Sequence, residues 1–152
     1  MTTPVTDGVE FQPSQRLKLD DRAKHLARLP LFADVSRRHL RSLARASRQV
    51  LLEPGANLFT EGAPPTDAYV IVAGSARVHR GNRTIATLGA GDVVGELGLL
   101  LERPRNATAT ALTPLDVLAI ARDDLRAAVL TTPELGWVLL ETVAQRLSPK
   151  GV

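Results

Sequence analysis

Between Gln49 and Ile120 short apolar runs alternate with glycines, and this punctuation limits the fold more than any other feature of the chain. The runs are Val50-Leu51-Leu52, Leu58-Phe59, Tyr69 to Val72, Ala76 to His79, Thr84 to Leu88 and Val117 to Ile120, and Gly55, Gly62, Gly74, Gly81, Gly89 and Gly91 fall between them. Each run has strand length rather than helix length, and glycine supplies the turn conformations that other residues resist. Many short antiparallel strands joined by tight turns are therefore expected, closing into an antiparallel β-roll of the double-stranded β-helix or jelly-roll type. With only three Phe, one Tyr and one Trp in 152 residues, Val, Leu, Ile and Ala must fill its interior. One core suits a chain of this length.

Helical patterns flank the roll, so the expected class is α+β, with N-terminal helices and two C-terminal helices. Residues 1–28 read as a flexible leader followed by a short helix that carries Leu17, Ala23, Leu26, Ala27 and Leu29 and ends at Pro30. Ser36 is the expected N-cap of a second helix, in which Leu40, Leu43 and Ala44 make an apolar stripe among Arg37, Arg38, Arg41, Arg45 and Arg48. After Ile120, Arg122-Asp123-Asp124-Leu125 opens a third, whose apolar face is Leu125, Ala128 and Val129. A break at Thr131-Thr132-Pro133 precedes a last helix over residues 134–147. Residues 29–147 are the expected domain and residues 148–152 a tail.

Chemistry concentrates in one run, Gly95-Glu96-Leu97-Gly98-Leu99-Leu100-Leu101, continued by Glu102-Arg103-Pro104-Arg105-Asn106-Ala107-Thr108. A glycine before a short apolar segment allows a sharp turn and leaves the first amides of a helical turn open to an anion. Glu96 at that start is favoured by the helix dipole, and its carboxylate accepts hydrogen bonds, which suits a sugar hydroxyl. Pro104 stops any helix before Arg105, nine positions beyond Glu96, so the arginine is free to fold back and set its planar fork against a phosphate.

This run resembles the phosphate-binding cassette of the cyclic nucleotide-binding domain family, G-E-[LIVM]-[AG]-[LIV]-[LIV], a spacer, then P-R-x-A-[TS]. The run from Asp67 to Ala76 is similar to a second family pattern, D-x-[FY]-[LIV]-[LIV]-x-x-G-x-[AV], and the order of the N-terminal helices also resembles the family, so the likeness covers about Leu29 to Leu147. The resemblance implies a ligand site made by Gly95, Glu96, Leu97, Gly98, Arg105, Asn106, Ala107 and Thr108. In it Glu96 accepts from the ribose 2′-hydroxyl, Arg105 pairs with the cyclic phosphate, and the backbone around Leu97 and Ala107 completes the cradle. Asn106, where relatives carry Ala, Ser or Thr, leaves cAMP and cGMP both open, with cAMP the expected ligand. Val94 replaces a frequent aromatic, and capping of the base and homodimer formation are both left open.

Other chemistries lack their residues. In Gly89-Ala90-Gly91-Asp92-Val93-Val94-Gly95 the third glycine falls one place late for a dinucleotide fingerprint, and no G-x-x-x-x-G-K-[ST] loop exists. His25, His39 and His79 are far apart and lack partners at ligand spacing, so no metal site and no cupin-like metal enzyme is expected. No G-x-S-x-G elbow is present. The expected protein is not an enzyme and needs no cofactor beyond its ligand.

The absence of cysteine, of a secretory signal and of a long apolar segment fits a cytoplasmic protein with no membrane span. Ten of the nineteen basic residues lie between Arg16 and Arg48, against Asp20, Asp21 and Asp34. Such a segment is a solvated helix face or a surface for an anionic partner. The chain stops before any helix-turn-helix module of the kind that family transcription factors carry, so DNA reading by that route is not expected. The expected function is a stand-alone cAMP sensor that signals through its terminal helices to a separate effector protein. The alternative is a ligand-free structural or nucleic-acid-associated module using the basic N-terminal helix.

Overall fold

In a computed structural model the chain is described over residues 16–29, 32–33, 35–95 and 102–147. The expected leader, the tail, and Glu96, Leu97 and Gly98 of the expected site lie outside the described residues. Two helices come first, α1 (Leu19–Ala27) and α2 (Arg37–Ala46). Among the described residues eight strands follow: β1 (Arg48–Leu52), β2 (Asn57–Phe59), β3 (Asp67–Ala73), β4 (Ser75–Arg80), β5 (Arg83–Gly89), β6 (Val93–Val94), β7 (Thr108–Ala111) and β8 (Leu115–Ala121). The helices α3 (Arg122–Thr131) and α4 (Pro133–Leu147) end the described chain.

The strands form two four-stranded antiparallel sheets, ordered β1-β8-β3-β6 and β2-β7-β4-β5. The first sheet is buried on both faces. Successive side chains of a strand point to opposite sides, so on β8 Val117 and Ala119 face the roll interior while Leu118 and Ile120 face the helices. On β3 Tyr69 and Ile71 face inward and Ala68 and Val70 outward, and β6 divides Val94 from Val93 in the same way. This two-sided burial is why β3 and β8 read as continuous apolar runs rather than alternating ones. The second sheet leaves its outer face to water, with Ile85 of β5 45% exposed.

The helices close the outer face of the first sheet. Leu26 of α1, Leu40, Leu43 and Ala44 of α2, Leu125 and Ala128 of α3 and Leu135 of α4 share one cluster with Leu118 and Ile120. Ser36 caps α2 as its sequence implies, accepting from the His39 amide at 3.3 Å. The break expected at Thr131-Thr132-Pro133 narrows to Thr132, since α3 runs through Thr131 and α4 starts at Pro133. Thr132 is itself buried, and its hydroxyl lies 3.2 Å from Nδ1 of His39. Two strands, β6 and β7, have no counterpart among the apolar runs read from the sequence.

Gly74 sits where the chains crowd. A Cβ on Gly74, at φ +93°, would lie 2.1 Å from the Pro114 carbonyl oxygen, so the turn between β3 and β4 packs its bare backbone against the approach to β8.

Candidate functional site

Arg105 is the centre of the described part of the site. The loop between β2 and β3 clamps its backbone: its amide donates to the Ala63 carbonyl at 2.9 Å, and its own carbonyl accepts from the Gly62 amide at 2.8 Å. Thr108, the first residue of β7, accepts from the Glu61 amide through Oγ1 at 3.0 Å and secures the same loop. Arg105 is therefore positioned by a hairpin-like pairing of loops before its side chain does anything.

The guanidinium turns inward. Only 4% of the residue is exposed, and Nη1 donates to the Gly95 carbonyl at 2.7 Å while Nη2 donates to the Asp67 carbonyl at 2.5 Å. Its carbon lies 4.3 Å from the centroid of the Phe59 ring and 5.9 Å from that of Tyr69. Cations over aromatic faces are stabilised by the ring quadrupole, by about 2 kcal/mol or more when desolvated. Phe59 and Tyr69 stack in turn, with centroids 6.1 Å apart. The plane of the fork is thus fixed from two sides, by carbonyls of β3 and of the residue after β6 and by an aromatic wall.

Asp67, at the head of β3, lies beneath this arrangement. Its carboxylate accepts from Thr66 Oγ1 at 3.0 Å and stands 3.6 Å from Nη2 of Arg48. Burial, followed by the charge of Asp67, raises the Tyr69 phenol above its ordinary range, so it stays neutral at physiological pH.

Of the residues read from the sequence, the fold brings Gly95, Arg105, Asn106, Ala107 and Thr108 to one edge of the roll. Gly95 adopts φ +84° and lends its carbonyl to Arg105. Asn106 is exposed, and its carbonyl accepts from Arg80 Nε at 2.8 Å. Ala107 is buried. The sequence reading did not assign Phe59, Tyr69 or Asp67 to the site, although the run from Asp67 had been singled out as a pattern. Among the described residues no group of His, Asp and Glu side chains could hold a metal ion, and no helix is long and apolar enough to cross a membrane.

A family model described as the cyclic nucleotide-binding domain matches residues 49–132, which runs from β1 to Thr132, the residue after α3. The chain belongs to the cyclic nucleotide-binding domain family. Within that family it is 31% identical over 127 residues to the CRP-like cAMP-activated global transcriptional regulator of Mycobacterium tuberculosis, covering 80% of this chain and 57% of that protein. The chain thus spans little more than half the length of that relative. Among solved structures, the N-terminal domain of a transcriptional regulator from Streptomyces coelicolor A3(2) is 35% identical, with a TM-score of 0.66 over 82% of this chain and 90% of that one. The catabolite activator protein of Thermus thermophilus is 30% identical, with a TM-score of 0.71 over 79% and 59%. These two structures share the fold described above, a β-roll of antiparallel strands with flanking helices.

Proposed function

We propose that the chain is a cytoplasmic sensor domain for cAMP, working as one unit over residues 29–147, and that it passes ligand occupancy through its terminal helices to a partner protein. Arg105 takes the cyclic phosphate, Glu96 the ribose 2′-hydroxyl, and the backbone around Leu97, Gly98 and Ala107 the remaining phosphate oxygens. The domain itself catalyses nothing: it binds, and binding shifts a conformational equilibrium.

The placement of Arg105 carries this reading. Two carbonyls and the Phe59 ring hold the guanidinium in a fixed plane beside Gly95, at the edge where the cassette pattern puts its phosphate-binding arginine. Charge-assisted bonds between a guanidinium and a phosphate are strongest where water is scarce, which favours a buried arginine as the partner of the anion. The mycobacterial relative is named for activation by cAMP, which supports cAMP over cGMP as the ligand.

Calorimetric titration of the full chain with cAMP and with cGMP tests the proposal. Saturable binding with cAMP tighter than cGMP is the expected outcome, and loss of that binding in Arg105→Lys assigns the phosphate contact. No heat with either nucleotide would overturn the ligand assignment.

A further inference from the structure

The charge of this protein is divided in space. The segment from Arg16 to Arg48 holds ten basic and three acidic residues, whereas the rest of the chain holds nine basic and thirteen acidic ones. Because α1 and α2 pack against each other, most of the described cations of that segment sit on one helical pair, in a chain whose remainder is net acidic. Between the two helices opens a cleft of about 480 Å³. Ala23, Ala27 and Ala33 contribute to its apolar floor above the buried Phe32, and Lys24, Arg37 and Arg41, together with Asp20, to its rim. Arg41 is paired with Asp20, while among the described residues Lys24 and Arg37 have no ion-pair partner.

We propose that this cleft receives an acidic amphipathic helix of a partner protein. Charge complementarity sets the sign of the partner: two uncommitted cations flank an apolar floor, which suits a helix with carboxylates beside a narrow apolar stripe. Alanines in the floor leave room for the partner's larger apolar side chains to enter. The same face is poorly made for the other anionic macromolecules. Phe32 is 1% exposed, so it offers no stacking surface to the bases of a single strand. The large apolar residues exposed among the described ones, Ile85, Leu112, Leu130, Trp137 and Leu140, all lie outside α1 and α2, so this face has no apolar wedge for a bilayer. A duplex would engage the cations and leave the apolar floor uncovered. The site stands on its own residues and does not depend on whether the roll holds a nucleotide.

The test titrates the full chain into a fluorescein-labelled synthetic peptide of Glu, Ala and Leu whose acidic and apolar residues separate at helical period. Saturable binding that weakens as salt rises is expected. The double substitution Lys24→Glu and Arg37→Glu should weaken it about tenfold or more, since two attractive contacts become repulsive. A scrambled peptide of the same composition, which cannot gather its leucines on one side, should bind about tenfold more weakly or worse. Ala27→Glu, which places a carboxylate in the floor, should also reduce binding, and the thermal unfolding of each variant shows that the fold is kept. Equal binding of the ordered and scrambled peptides, or no binding of either, overturns the proposal. So does tighter binding of a duplex oligonucleotide, of polyuridylate or of phosphatidylserine vesicles that is lost in the same double variant, because the surface would then serve a different class of partner.

Discussion

The carbonyl of Gly95 accepts a hydrogen bond from Nη1 of Arg105 at 2.7 Å, and a Cβ added to Gly95 would lie 2.6 Å from that same nitrogen. The residue that orients the arginine is therefore one that no side chain can replace without moving it. Gly95 also holds φ +84°, where an L-residue is strained by about 1 kcal/mol or more. Gly95→Ala should lower unfolding free energy by about 1–3 kcal/mol and weaken cAMP binding at the same time. Urea unfolding and calorimetry on one preparation check both effects. A stable variant with unchanged affinity would show that Arg105 does not need this neighbour.

Truncating Arg105 should weaken cAMP by about 2–5 kcal/mol, roughly 30-fold to several thousand-fold in Kd, as for other buried charged contacts. The burial of Arg105 adds a complication, because Arg105→Ala also leaves the Gly95 and Asp67 carbonyls without this donor. Arg105→Lys separates the effects: it keeps a cation in the space but loses the planar fork. Its affinity should fall at least tenfold with a smaller loss of stability than Arg105→Ala. Glu96→Ala should cost less, about 1.5–3 kcal/mol, since it removes a hydrogen bond between a hydroxyl and a charged acceptor. Affinities of all three variants, compared with their unfolding midpoints, test the ranking.

The last helix should report ligand through Trp137. This residue is 65% exposed on α4, with Leu140 57% exposed one turn on and Leu130 69% exposed at the end of α3. Thr132 is the single residue between the two helices, so a change in the angle of α4 would be taken up there. If cAMP draws α4 against the roll, Trp137 leaves water and its emission shifts to shorter wavelength. Because a ligand shifts an equilibrium only through unequal affinity for its two states, the shift should titrate with the same Kd as binding. Emission and amide exchange over residues 133–147 that stay constant under saturating cAMP would show a static helix.

Asp116 should make stability fall as pH rises out of the acid range. Burial lifts its carboxyl above the ordinary value of 3.8, against the opposing effect of the two contacts from Gln49 Nε2 at 3.0 and 3.1 Å. The folded state then binds the proton more tightly than the unfolded chain, so this contribution is present below the unfolded pKa and is lost as pH rises through the folded one. Asp116→Asn keeps an acceptor for Gln49 and removes the buried charge. It should raise the unfolding midpoint at pH 7 and give a smaller gain, or none, near pH 3. Equal gains at both values would mean that the charge is not the cause.

Where the governing forces are local, the sequence was readable. Ser36 before Leu40, Leu43 and Ala44 announces a capped amphipathic helix, because cap and stripe lie within three turns. The apolar runs of β3 and β8 announce buried strands, because burial on both faces demands apolar residues at every position. The α+β class with its β-roll followed from these runs and their glycines, and Glu96 and Arg105 stood out through their spacing and the family pattern they resemble.

Other features depend on partners far along the chain. β6 is only Val93–Val94, and β7 is Thr-Ala-Thr-Ala, too short or too small in side chain to signal a strand. They become strands because β3 offers one edge to β6, and β7 fits between β2 and β4. The setting of Arg105 was hidden for the same reason: its acceptors are backbone carbonyls, one of them 38 residues away at Asp67, and a carbonyl leaves no mark in the choice of side chain. Local propensity and apolar pattern determined the elements, and the resemblance of the run from Gly95 to Thr108 singled out Arg105. Strand pairing and the convergence of Phe59, Asp67 and Gly95 decided where that arginine points, since only long-range packing brings separate stretches of backbone within hydrogen-bonding distance.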